Sequence, residues 1–440
     1  MFINTPDTHY PVVVIGSGPA GMTVARTLIN EHGFDRVLLV ESGSMEYDPD
    51  INQLSLVNAT GDLTDEYYAI HSIRAFGGTS MVWAGLCSVL ESLSFDLGEW
   101  PFSHASLMPY YRRAVPVLDL PTSAVDQYEM PVRAGSSIKY RPFYLSTPVR
   151  FGEKFRDFAN DSTSLQVMLK TTVRKIDHDK GTVTGVTIGS SDVTATQIKA
   201  DKVVLACGGI GNPRLLLLSG LDANEQVGKN FMEHPHVHSY NRAVLQSEAV
   251  SRSHTVSGQR TNAFCLNDET LRAAGVRSFT LSTGPKEDAG LSPNTNQNTI
   301  NALMTMQAEM APMEDNRVTL SDDIDAIGLP KANVEFQFRA NEMLPKLWRL
   351  AGERFLREGL GRFTAPGPIT DITGGGHLMG TTRMAPVGKG CVNEHSELHG
   401  CRSLYVAGSS VFPAGGAANP TFTIVALSLK LADHIAGAPA

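Results

Sequence analysis

The sequence is short of several things that would have placed it in other classes of protein. No apolar run approaches the ~18–20 residues that a membrane span requires, and no block of like charges occurs anywhere in its 440 residues. Cysteine is scarce: Cys87, Cys207, Cys265, Cys391 and Cys401 are odd in number and scattered, without the CxxC spacing of a metal site. That usage predicts a reducing, cytoplasmic setting in which a Cys391–Cys401 disulfide is not expected. Clustered Lys and Arg are missing and the formal net charge is −8, which argues against a nucleic-acid surface. Internal repeats, low-complexity tracts and linker-like composition breaks are absent as well. The first apolar strand pattern begins by Val12, so no cleavable leader is expected ahead of it, and the sequons at Asn58 and Asn160 carry no weight. Glycine, by contrast, is plentiful. Its 40 residues bunch at a few places, which points to close backbone approach to a bound ligand.

Residues 11–41, PVVVIGSGPAGMTVARTLINEHGFDRVLLVE, predict a buried strand, a glycine turn, an amphipathic helix and a second buried strand ending in an acid. Continuous apolar strands flanking a helix are the pattern of a parallel βαβ unit covered on both faces. In its turn, Gly16, Ser17, Gly18 and Gly21 form a GxGxxG set. The spacing allows a tight turn, backbone contact with a pyrophosphate and close helix–strand packing, and Glu41 is placed to accept from a ribose. Between about His236 and Ala340 the pattern changes to period-2 alternation, the mark of antiparallel strands with one wet face. In TINALMTMQAEM, Gln307 falls on the polar face, and in NVEFQFR so does Gln337. If those faces roof a ligand cavity, both glutamines are candidates to bind a polyhydroxylated substrate. Glu309 and Arg317 read as structural. Asn419, ahead of Pro420 and an apolar helical pattern, reads as a helix N-cap.

Two C-terminal stretches, GGGHLMGTTRM (374–384) and LYVAGSSVFPAGGAANPTFTIVALSLKLADHI (404–435), resemble the glucose–methanol–choline (GMC) family of flavoenzymes. AFGGTSMVWAG (75–85), FDLGEWPFSHASLMPYYRRA (95–114), ACGGIGNPRLLLLSG, VGKNFMEHPHV (227–237) and EMAPMEDNRVTLS (309–321) follow the family's order, so the resemblance spans nearly the whole chain. It implies an α/β, Rossmann-type FAD-binding domain interleaved with an α+β substrate domain built on an antiparallel sheet. The expected segments are 1–120, 160–235 and 372–440 for FAD, and 121–159 and 236–371 for substrate. It further implies oxidation of an alcohol C–OH, with hydride passing to flavin N5. The family's base falls on His377, and the second catalytic position, Asn in the pyranose-oxidase-like branch, falls on Asn419. An imidazole can accept a proton near neutrality, and an amide can hold the substrate oxygen without competing for that proton.

Cofactor residues carried over by motif are Gly16, Ser17, Gly18, Gly21, Glu41, Gly78, Thr79, Trp83, Val173, Ser409, Asn419 and Thr421. Val82 stands where pyranose oxidases attach FAD through histidine, so noncovalent FAD is expected. Gly408 replaces an Asp common in the family, which transfers the ribityl contact to Ser409 or to backbone. His234, His236 and His238 alternate like metal ligands, but Pro235 interrupts the strand and the family carries a similar HP pair without metal, so none is expected. A sugar, aminosugar, glycoside or polyol is the expected substrate, in a role such as natural-product biosynthesis. The alternatives are a hydrophobic alcohol such as a sterol, a non-redox lyase of the hydroxynitrile type, and an FAD-binding protein without turnover. The motifs leave the electron acceptor open among oxygen, a quinone and a carrier protein, and they do not specify an oligomeric state.

Overall fold

The computed structural model describes residues 1–146, 149–189, 195–247, 249, 260–283, 298–364 and 372–437. Among them, the strands form three sheets. The first contains the βαβ unit: His9–Ile15, the helix Pro19–Asn30 and Val37–Val40. Five of its strands run parallel, in the order Leu165–Met168, Val37–Val40, His9–Ile15, Thr196–Leu205 and Leu404–Val406. All four residues of Val37–Val40 are buried, as a parallel strand covered on both faces requires. Thr182–Ile188 and Val173–Asp179 extend this sheet antiparallel. The final helix, Thr421–Ile435, packs against Pro19–Asn30 and against His104–Val117.

The second sheet is antiparallel and has nine strands. Pro235–Gln246, Thr299–Ala308, Phe279–Thr283, Arg260–Leu266 and Ile138–Leu145 form its middle. Along Thr299–Ala308 the alternation is realised: Ala302, Met304, Met306 and Ala308 are buried while Leu303, Thr305 and Gln307 are only partly so. The third sheet joins Arg317–Ile324, Pro330–Phe336 and Asn58–Gly61, the last two parallel.

Packing and strand pairing reach across the expected segment borders. Leu86–Cys87, within the segment 1–120, pairs with Ile138–Leu145 in the nine-stranded sheet. The helix Phe151–Lys154, within 121–159, packs against the turn Gly78–Met81 of the segment 1–120, where a Cβ built at Gly77 would meet Gly152 N at 2.3 Å. Arg156–Asp161, which straddles the border at 159, packs against Leu165–Met168 of the first sheet. Gln337 follows a strand of the third sheet and Gln307 lies in the second, so the two polar faces do not share a roof.

Candidate active site

A single cavity of about 1100 Å³ runs from Glu41 and Val173 at one end to His377 and Asn419 at the other. It exceeds the size of an ordinary drug-sized pocket and suits an extended ligand. The glycine turn builds its first wall. Gly16 has φ +101°, a conformation that side chains disfavour. A Cβ at Gly21 would lie 2.0 Å from the Gly16 carbonyl oxygen, so that glycine permits helix–strand contact and stays outside the cavity lining. At Gly18 the nearest atom to a Cβ would be Gly78 Cα, 3.9 Å away, which leaves the backbone open to a ligand. No side chain caps the helix that begins at Pro19, so its first N–H groups stay available to an anion. These features fit a dinucleotide pyrophosphate.

Ser17 secures the turn. Its N and Oγ donate to Glu41 Oε2 at 3.0 and 2.7 Å, and Gly77 N donates to its Oγ at 3.0 Å. Glu41 Oε1 accepts from Gly43 N at 2.8 Å, so the carboxylate that faces the cavity also stitches the turn to its own strand end. Thr79, Trp83 and Thr421 line the cavity too, Trp83 with its Nε1 donating to Val149 O at 2.9 Å. Ser409 also lines it, but its hydroxyl donates to Leu378 O at 2.6 Å, whereas nothing lies within 4 Å of a Cβ built at Gly408. The backbone of Gly408 is therefore the freer contact.

At the other end, Glu233 shapes the loop that carries His377. This buried carboxylate accepts from the backbone N of His377 (2.7 and 2.9 Å), Gly375 (3.2 Å) and His234 (2.7 Å), and from the Tyr67 hydroxyl (2.5 Å). Burial pushes its pKa up to about 7, against the pull of those donors. The His377 ring meets His234 with Nδ1 to Nδ1 at 2.8 Å. Burial, followed by His234, His236 and His71, holds the His377 pKa well below the usual imidazole range, and burial lowers His234 to about 4.

Asn419 is not the N-cap expected from its neighbours. The helix begins at Thr421 after Pro420, without a side-chain cap. The Asn419 amide instead donates from Nδ2 to Leu86 O at 3.2 Å and accepts at Oδ1 from Gln307 Nε2 at 3.2 Å. Its loop is held by Glu91, which accepts from Ala417 N at 2.7 Å and pairs with the buried Arg141. Gln307 lines the cavity, whereas Gln337 is not among the lining residues and its backbone N bonds to Asn316 Oδ1 instead.

Sequence reasoning missed Glu233, Tyr67, His71, Glu91 and the role of His234. The EHPHVH alternation was a signal, but it was weighed only as a metal pattern and set aside. Among the described residues no group of three or more His, Cys, Asp or Glu is disposed to hold a metal ion.

The model for a family described as GMC oxidoreductase matches this chain in two parts, an N-terminal one at 153–236 and a C-terminal one at 312–428. 2-Methyl-1,2-propanediol dehydrogenase of Mycolicibacterium austroafricanum is 26% identical over 96% of this chain and 94% of its own. C-glycoside 3-oxidase of Microbacterium trichothecenolyticum is 33% identical over 28% of this chain and 24% of its own. Among solved structures, formate oxidase superposes with a TM-score of 0.65 at 17% identity, covering 98% of this chain and 99% of that one, which is a likeness of fold.

Proposed function

The chain belongs to the GMC oxidoreductase family, whose cofactor is FAD, and on that premise we propose that it oxidises an alcohol C–OH to a carbonyl. The observation that carries this reading is the convergence of the His377 imidazole and the Asn419 amide on the same cavity, each anchored from behind by the protein. FAD, when bound, supplies the two-electron acceptor for the hydride. The open backbone at Gly18 and the start of its helix would hold the pyrophosphate, with Glu41 at the ribose. Val82 has no nucleophilic atom, so no covalent link to FAD forms at that position.

His377 takes the hydroxyl proton, and its buried, neutral imidazole is ready to accept it at physiological pH. Asn419 Nδ2 carries two hydrogens and spends one on Leu86 O. The second is free to hold the substrate oxygen and so to orient the carbon that loses hydride. His236 and Gln307 border this end of the cavity, and His236 Nε2 is buried without a well-aligned hydrogen bond among the described residues, which favours a substrate with more than one hydroxyl. A sugar, glycoside or small polyol meets that requirement, and the names of the diol dehydrogenase and the C-glycoside 3-oxidase point the same way.

Anaerobic mixing with a panel of sugars, glycosides and polyols should bleach the visible flavin absorbance. His377→Ala should abolish that bleaching while FAD remains bound. Cleavage of a cyanohydrin with no bleaching by any alcohol would replace this reading with a lyase, and bleaching only by sterols would replace the substrate class.

A further inference from the structure

Neutral imidazole has two tautomers, and only the one with a bare Nε2 lets His377 act as a base from that atom. Three hydrogen bonds decide which tautomer is present. The Gln307 side-chain nitrogen lies 3.1 Å from Ala417 O, a carbonyl that can only accept, so the amide is oriented with its NH₂ toward this cluster. The same nitrogen lies 3.3 Å from His234 Nδ1, and because its two hydrogens are shared with Ala417 O and Asn419 Oδ1 and an amide nitrogen cannot accept, this contact favours a bare His234 Nδ1. His234 Nδ1 is also 2.8 Å from His377 Nδ1, so the proton between the two rings belongs to His377.

The remaining atoms agree with this order. His234 Nε2 must then carry the other ring proton, and it lies buried against the Gly415–Gly416 backbone without a well-aligned hydrogen bond. His377 Nε2 has no protein partner among the described residues, and the residue lines the cavity. We propose that His234 is a positioning residue which, oriented by Gln307, holds His377 in the Nδ1–H tautomer and leaves Nε2 bare for the substrate hydroxyl. When Nε2 takes the proton, the Nδ1–H bond to a neutral His234 strengthens, because its donor has become a cation. Gln307 thereby links both halves of the site, since it also donates to Asn419 Oδ1. The inference rests on His377 being the base.

Nitrogen-15 NMR of FAD-loaded protein with labelled histidine tests it without turnover. His377 should show a protonated Nδ1 and an unprotonated Nε2, with the reverse in His234. The opposite assignment would overturn the proposal even if His377 proves to be the base. In turnover, His234→Leu should slow flavin reduction by about 10²-fold, within the range for a mispositioned general base. FAD content should hold, and KM should stay within roughly threefold, as for an interaction made only in the transition state. His234→Asn, whose oxygen can accept from His377 Nδ1, should restore part of the rate. A folded His234→Leu protein with an unchanged rate would sink the proposal, and should that variant not fold, the wild-type tautomers decide. Failure of His377→Ala to stop bleaching would instead overturn the function proposed above.

Discussion

At the residue scale, the proposed chemistry turns on the charge state of His377. Positive charge on this imidazole is disfavoured first by burial and then by His234, His236 and His71, while Glu233 faces its backbone N. A base works only when unprotonated, and a depressed pKa keeps it so at lower pH. His377 should therefore impose no acid limb on flavin reduction at or above pH 6.5, and a fall near pH 7 traces to Glu233, so it should vanish in Glu233→Gln; stopped-flow rates of that variant with an acid limb at or above 6.5 would contradict this. His377 and Asn419 were legible in the sequence because each sits in a motif read along the chain. The histidine behind His377 was not. It lies 143 residues away in sequence, and periodicity states which face a residue occupies but not what stands opposite.

At the scale of elements, the glycine turn separates two tasks that sequence spacing assigns together. Gly21 makes room for the Gly16 carbonyl, whereas Gly18 leaves room for a ligand. Gly21→Ala should lower the stability of the chain by about 1–3 kcal/mol, the usual cost of overpacking. Gly18→Ala should leave the apoprotein's melting temperature unchanged and weaken FAD binding roughly tenfold, about 1.4 kcal/mol. Calorimetric melting and FAD titration check the pair, and equal effects on both quantities would refute the division. The final helix shows the limit of local reading. Asn-Pro before an apolar helix is a sound capping signal, yet the amide of Asn419 turns to Gln307 and Leu86. A cap returns about 1 kcal/mol, and at Asn419 tertiary hydrogen bonds claim the amide instead.

At the scale of the whole molecule, the cavity lies where the parallel sheet, the antiparallel sheet and the final helix meet. A ligand that fills it ties segments from both ends of the chain. Removing FAD should lower stability by RT ln(1 + [L]/Kd), about 2.7 kcal/mol at a hundredfold excess over Kd. Melting temperature should rise with added FAD, and a melt insensitive to FAD would mean that the folded chain does not bind it. The βαβ unit, the antiparallel middle, the family and its cofactor, and the candidacy of His377 and Asn419 came from sequence alone, because each depends on short-range periodicity or on motifs in linear order. Tertiary structure alone decided that Gln307 reaches Asn419 across 112 residues while Gln337 follows a strand of another sheet, and that His234 backs His377. The physical reason is that alternation assigns a side chain to a face, whereas the sheet or loop that covers that face is chosen by long-range strand pairing and by the need to satisfy every buried donor and acceptor.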